Sequence, residues 1–143
     1  MSYSDKHLRV LDIIEKLIEA CDKLQRWNED INDYEDYGTK LDGDMRLAVS
    51  CMLIEMIGGE IKKIDKILPG YIEEAEPTIR WRQLKGMRDR LAHGYLDVDP
   101  EIVLDVVKNE MPSIHAAFIR IKDKTASEIQ GLRGWRIFCN FAL

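Results

Sequence analysis

Within eight positions the chain gathers an arginine, an aspartate, a histidine and a tyrosine: Arg88, Asp89, His93 and Tyr95. An imidazole that titrates near neutrality can take or return a proton. A guanidinium can hold a phosphate and stabilise charge developing in a transition state. If the helix leading here ends at His93, Asp89 lies one turn before it on the same face. Arg88 stands on the adjacent turn, with the reach to share an anion. Gly94 lets the chain reverse and bring Tyr95 back beside His93. Such a grouping suits phosphodiester chemistry. No His/Cys cluster and no carboxylate pair at metal-ligand spacing accompanies it, and His7 and His115 lie far off in sequence, so neither a metal nor a cofactor is expected. A metal-free nuclease must find its nucleophile elsewhere. RNA carries one in its 2′-hydroxyl and DNA does not, so the substrate would be RNA. A plainer reading fits the same residues. A histidine before a helix-ending glycine commonly meets the last carbonyls and the helix dipole, while Arg88 and Asp89 pair at the surface and Tyr95 packs on the core edge.

The charge around the cluster favours an anionic partner. The chain as a whole carries −5, which argues against a nucleic-acid-coating protein. Residues 80–90, "RWRQLKGMRDR", nevertheless hold Arg80, Arg82, Lys85, Arg88 and Arg90 against the single acid Asp89. That segment is +4 and leaves −9 on the remainder. A small basic patch on an acidic body can grip a few phosphates without coating a duplex. Arg80, Arg82, Lys85 and Arg90 are therefore the candidate RNA-binding side chains. A solvated helix face is the plain reading of the same run.

Helices must position these residues. Over about 5–27, Leu8, Leu11, Ile14, Leu17, Ile18, Cys21 and Leu24 recur at three- and four-residue steps, the stripe of an amphipathic helix. Residues 28–42 are polar and read as a loop or an extension of that helix. A second helix fits 43–67, with Met45, Ala48, Val49, Met52, Met56, Ile57, Ile61 and Ile64 turned inward, and Pro69–Gly70 stops it. The pair Gly58–Gly59 inside it costs about 1 kcal/mol per glycine in helix propensity. That cost implies close approach to another helix, or a kink. A third helix runs from near Thr78 to His93, with Gly94 as its stop. A fourth starts at Asp99 and Pro100 and is expected to kink or break at Pro112. No segment alternates with period two, so the fold class is all-α, an up-and-down bundle of four main helices.

With 143 residues, 45% hydrophobic and 33% charged, the chain can bury its own core. Three widely spaced cysteines (Cys21, Cys51, Cys139) read as reduced thiols of a cytoplasmic protein. The N-terminus is too charged for a secretory signal, and no apolar run approaches the roughly 20 residues that span a membrane. The last segment, "GLRGWRIFCNFAL", is set off by two glycines and strongly apolar, so residues 126–143 are expected to dock as a tail on the domain or on a partner subunit.

The string "RDRLAHGY" resembles the signature of the HEPN superfamily: Arg88, the polar Asp89 and His93, with Tyr95 two residues later as in the HepT-like branch. The likeness extends from Trp81 to Ile114, and the segment Ile54–Glu60 is also similar. There the chain departs from the family's order by carrying Gly58–Gly59 before Glu60, so no role is carried over to Glu60. The resemblance implies a HEPN/HepT-like domain over residues 1–125. It implies a metal-independent endoribonuclease, the toxin of a bacterial or archaeal toxin–antitoxin pair, acting as a homodimer whose motif helices face each other across a basic cleft. Arg88 would then bind and polarise the phosphate, His93 transfer the proton and Asp89 orient the pair. The implied partner is a nucleotidyltransferase antitoxin that adenylylates Tyr95. The alternative is a non-catalytic binding module that accompanies a nucleotidyltransferase and holds a nucleotide or other anion.

Overall fold

A computed structural model describes residues 2–93 and 97–142, with side chains at all of these positions except 92, 93 and 135–142. Among the described residues every regular element is helical. In chain order they are α1 (Tyr3–Trp27), α2 (Asp36–Thr39), α3 (Gly43–Ile67), α4 (Tyr71–Ala75), α5 (Trp81–His93), α6 (Pro100–Asp105), a π-helical turn (Val106–Glu110) and α7 (Met111–Ala142). The four main helices of the bundle are α1, α3, α5 and the continuous α6–π–α7 unit. No helix among the described residues is long and apolar enough to cross a membrane.

Local chemistry accounts for the helix ends. Ser2 caps α1 reciprocally with Asp5: each side chain accepts from the other's backbone N–H at 3.2 Å. At the far end Asn28 is fully buried and joins three elements. Its Nδ2 donates to the Leu24 carbonyl and to Ser50 Oγ, both at 2.8 Å, and its Oδ1 accepts from the Tyr37 hydroxyl at 2.7 Å. The segment 28–42 thus carries a short helix whose buried tyrosine closes the turn. Asp99 caps α6, accepting from the Glu101 N–H at 2.9 Å, as its position before Pro100 foretells.

The buried face of α1 comprises His7, Val10, Ile13, Ile14, Leu17, Ala20, Cys21 and Leu24. Leu8, expected inside, is 39% exposed. The larger correction falls on α3. Its inward residues are Cys51, Ile54, Ile57, Gly58, Ile61 and Ile64, whereas Met45, Met52 and Met56, expected in the core, are 64%, 67% and 41% exposed. This helix is apolar on two faces, and only the isoleucine face meets α1 and α5. Phe118 of α7, Ile14, Leu17 and Ile121 sit between the helices, and Trp81 stacks at 5.4 Å on Phe118 while donating to the Glu76 carbonyl at 2.9 Å.

Pro112 does not break the fourth helix. A proline clashes with the carbonyl four residues back and offers it no N–H. The chain accommodates this by widening just before it, with Met111 N–H bonding to the Val106 carbonyl five residues back. The π turn also aims Lys108 Nζ at the Asn28 and Glu29 carbonyls, at 2.7 and 3.3 Å, where it satisfies the end of α1. Helix α7 then continues through Gly131 and Gly134. Thr125 and Ile129 are buried, so the packed domain extends past residue 125. The apolar residues Trp135, Ile137, Phe138, Cys139 and Phe141 lie among the positions whose side chains are not described, and Leu143 lies outside the described residues.

Of the alternatives open for Gly58–Gly59, close approach is the one found. A Cβ on Gly58 would collide with the Cβ of Arg88 and come within 3.3 Å of the Leu84 carbonyl. A Cβ on Gly59 would meet only Arg88 Nε, at 3.8 Å. Gly58→Ala therefore forces α3 and α5 apart and is expected to cost about 1–3 kcal/mol by denaturant unfolding. Gly59→Ala should be neutral or stabilising by up to about 1 kcal/mol. Equal midpoints for the two variants would contradict this packing.

Candidate active site

The close approach at Gly58 places Arg88. Its stem lies against α3, and its guanidinium passes over Gly59 toward solvent, leaving the side chain 36% exposed. Nη1 donates to Asp89 Oδ1 at a long 3.3 Å, and Nε is buried without a hydrogen-bond partner. The same Asp89 oxygen accepts from Lys62 Nζ at 2.7 Å. Two cations thus share one carboxylate, and the trio keeps a net positive charge beside partly exposed guanidinium donors. The Lys62 ammonium, and after it Arg88, holds the Asp89 carboxyl below the usual aspartate range. An anion brought here would meet a prearranged guanidinium whose donors are not all used.

His93 is the last residue of α5, one turn beyond Asp89. Arg88 stands five positions before it, about 140° away around an ideal helix, so the two can serve one phosphate only through the reach of the arginine. The His93 side chain is not among those described, and Gly94 and Tyr95 lie outside the described residues. The structure brings together Arg88 and Asp89 and adds Lys62. Lys62 carries no local signal in the sequence, because its partner is on another helix. The nearest clue is that it stands four residues after Gly58, on the face that meets α5.

The four other basic residues divide between two sides of α5. Lys85 Nζ is held by Asp65 at 2.8 Å and Glu73 at 3.3 Å, and these carboxylates, Asp65 first, raise its pKa. Its charge is largely answered within the fold. Arg80 pairs with Glu110. Arg82 and Arg90 are exposed, with no ion pair to another described residue. The remaining titratable groups serve the bundle. His7 is buried with Nδ1 at 2.8 Å from the Tyr3 carbonyl and Nε2 at 3.0 Å from Glu128 Oε2, and His115 Nδ1 lies 2.8 Å from Gln25 Nε2. Burial pushes the Cys21 thiol up to about 12 and the Cys51 thiol up to about 11, which makes both poor nucleophiles. Among the described residues no group of three His, Cys, Asp or Glu side chains is placed to hold a metal ion.

The shared carboxylate has a pH signature. Because its folded-state pKa is depressed, the Asp89 linkage is present above the unfolded aspartate value of about 3.9 and is lost as pH falls through the lower folded value. Lys62→Met should move the Asp89 carboxyl titration, followed by NMR, upward toward the ordinary range. An unchanged Asp89 titration would show that the Lys62 contact does not form in solution.

Comparison with known proteins identifies the family. The family model described as "Ribonuclease HepT-like" matches residues 13–121. The chain is 30% identical over 111 residues to a protein named probable ribonuclease HepT from Thermococcus cleftensis, covering 78% of this chain and 94% of that one. It is 38% identical over 84 residues to a protein of Methanocaldococcus jannaschii provisionally named an RNase, covering 59% of this chain and 61% of the relative. A second such protein of the same organism is 41% identical over 68 residues, covering 48% and 55%. No solved structure gives a significant match. The chain belongs to the ribonuclease HepT-like family.

Proposed function

We propose that this protein is a metal-independent endoribonuclease and the toxin of a toxin–antitoxin pair, working in the cytoplasm. The observation that carries the reading is the partly exposed Arg88 guanidinium, fixed on Gly58–Gly59 with an unpartnered Nε, five residues before the end of α5 where His93 stands. In this reading Arg88 binds the scissile phosphate and stabilises the charge that grows on its oxygens. His93 accepts the proton of the ribose 2′-hydroxyl, the 2′ oxygen bonds to phosphorus, and the bond to the 5′ oxygen breaks. The departing 5′ oxygen receives a proton, leaving a 2′,3′-cyclic phosphate and a 5′-hydroxyl. Asp89, tied to Lys62 and Arg88, keeps the guanidinium in place.

The same reading makes the protein a homodimer and Tyr95 the residue that a nucleotidyltransferase antitoxin adenylylates. An AMP group there would put a bulky anion where RNA phosphate must bind. The dimer draws support from α3. Met45, Met52 and Met56 are 64%, 67% and 41% exposed and, at helical spacing, line a solvent-facing apolar stripe that runs toward Gly59 and Arg88. Such a stripe suits burial against a second copy.

Cleavage of RNA in EDTA, compared between the wild type, His93→Ala and Arg88→Ala, tests the chemistry. Each substitution should lower the cleavage rate by about 100-fold or more. Equal rates for wild type and His93→Ala would remove the catalytic assignment, and RNA binding without cleavage would leave the non-catalytic module. Incubation with ATP and the cognate nucleotidyltransferase should add the mass of AMP to a peptide containing Tyr95. Modification confined to other peptides would refute that site.

A further inference from the structure

A cavity lies on the side of α5 away from α3. It has a volume of about 840 Å³ and is walled by α5, the π turn and α7. That is within the usual size of a small-ligand pocket. Its floor is apolar, formed by Ile79, Leu84, Met87, Val106 and Ile114, and its rim carries Arg80, Arg90 and Arg120 with one exposed acid, Asp105. Two of these guanidiniums are pinned by carboxylates, Arg80 by Glu110 and Arg120 by Glu76, whose Oε1 is 2.9 Å from Arg120 Nε. A pinned guanidinium presents a fixed plane on which a flat ring can stack. Arg90 has no ion pair among the described residues and is free to take a phosphate. Ser113, Gln83 and Glu110 supply hydrogen-bonding groups at the wall.

An apolar slot edged by polar groups and guanidinium planes fits a nucleobase, and a free arginine at its mouth fits the attached phosphate. Gly86 sits at that mouth, where an added Cβ would have nothing within 4 Å. A backbone can therefore pass close over α5 at this point. A second hollow of about 430 Å³ shares Met87 and Arg90 and continues past the end of α5 to Leu91, Val98 and Ile102, with Asp97 and Asp99 at its far side. The groove thus follows α5 toward the end where His93 stands, seven residues and about 10 Å beyond Gly86.

We propose that the cavity between α5 and α7 receives a base of the RNA strand from a nucleotide flanking the scissile bond, with Arg90 on its phosphate. The proposal rests on the ribonuclease reading and adds a second contact region to it, on the opposite flank of α5 from Arg88.

Binding of a fluorescent single-stranded RNA to full-length His93→Ala protein, which should leave the RNA intact, is the test. In that background Gly86→Phe and Ser113→Trp fill the cavity from opposite walls, so a folding defect in one does not remove the test. Each should weaken binding about tenfold or more, the effect of losing a stacked base. Gly86→Ala should bind normally and be at least as stable. Arg90→Ala should weaken binding and lower the salt slope by about one. An oligonucleotide lacking the base at the flanking position should bind the His93→Ala protein about as weakly as the intact one binds the filled variants. Unchanged binding in both filled variants overturns the proposal, and so does indifference to the missing base. AMP that binds in a Gly86→Phe-sensitive way without displacing RNA would assign the cavity to a free nucleotide and equally overturn it. If the wild type cleaves RNA while the filled variants bind normally, only the cavity assignment fails. If cavity filling abolishes binding but the wild type does not cleave, only the nuclease reading fails.

Discussion

The contact between α3 and α5 depends on an atom that is absent. At Gly58 the two helices come so close that the first carbon of the Arg88 side chain occupies the space a Cβ would fill. Backbones packed this closely give the arginine stem a rigid floor. They direct its guanidinium sideways over Gly59, where it reaches Asp89 and, through it, Lys62. A more distant pairing would leave the long side chain free to sample many rotamers, at an entropic cost each time it bound a phosphate. The glycine thus exchanges some helix propensity for a prearranged cation.

The bundle holds this contact from both ends. At one end Asn28 ties the close of α1 to Ser50 of α3 and Tyr37 of α2, while Lys108 from the π turn caps the same helix end. At the other, His7 of α1 and Tyr71 of α4 meet Glu128 of α7, Tyr71 donating to Oε2 at 2.7 Å and sharing a 2.9 Å bond with Thr125. Buried polar groups that satisfy one another specify which helices meet and at what register, where apolar packing alone would allow sliding. Neither cluster takes part in the proposed chemistry.

Much of this was legible in the sequence, and the failures are instructive. The bounds of α3 follow from Pro69–Gly70 and its apolar pattern, and the start of α6 from Asp99–Pro100, because punctuation of that kind acts locally. The third helix begins at Trp81 rather than near Thr78, since the chain first makes a turn between Glu76 and Ile79. Which side of α3 faces inward was not legible. Methionines and isoleucines form two stripes on one helix, and only tertiary packing chooses between them. At the site, Arg88 and Asp89 follow from their spacing, whereas Lys62 depends on a contact between distant segments. Counting Lys85 with the basic patch overlooked Asp65 and Glu73, which a linear charge tally cannot place beside it.

The π turn before Pro112 carries a consequence for how this chain tolerates length change. A wide turn of this kind is equivalent to one residue inserted into an ordinary helix. Every position beyond it is therefore rotated by about 100° relative to an uninterrupted spiral. Beyond this step Ile114, Phe118 and Ile121 face the core. A lineage that deleted one residue between Val106 and Glu110 would regularise the hydrogen bonding yet rotate α6 and α7 relative to each other by that step. Replacing Pro112 would remove the steric reason for the widening but leave the chain one residue too long to close it. Proline and insertion are thus linked characters, and gaps here should be rarer among functional relatives than substitutions.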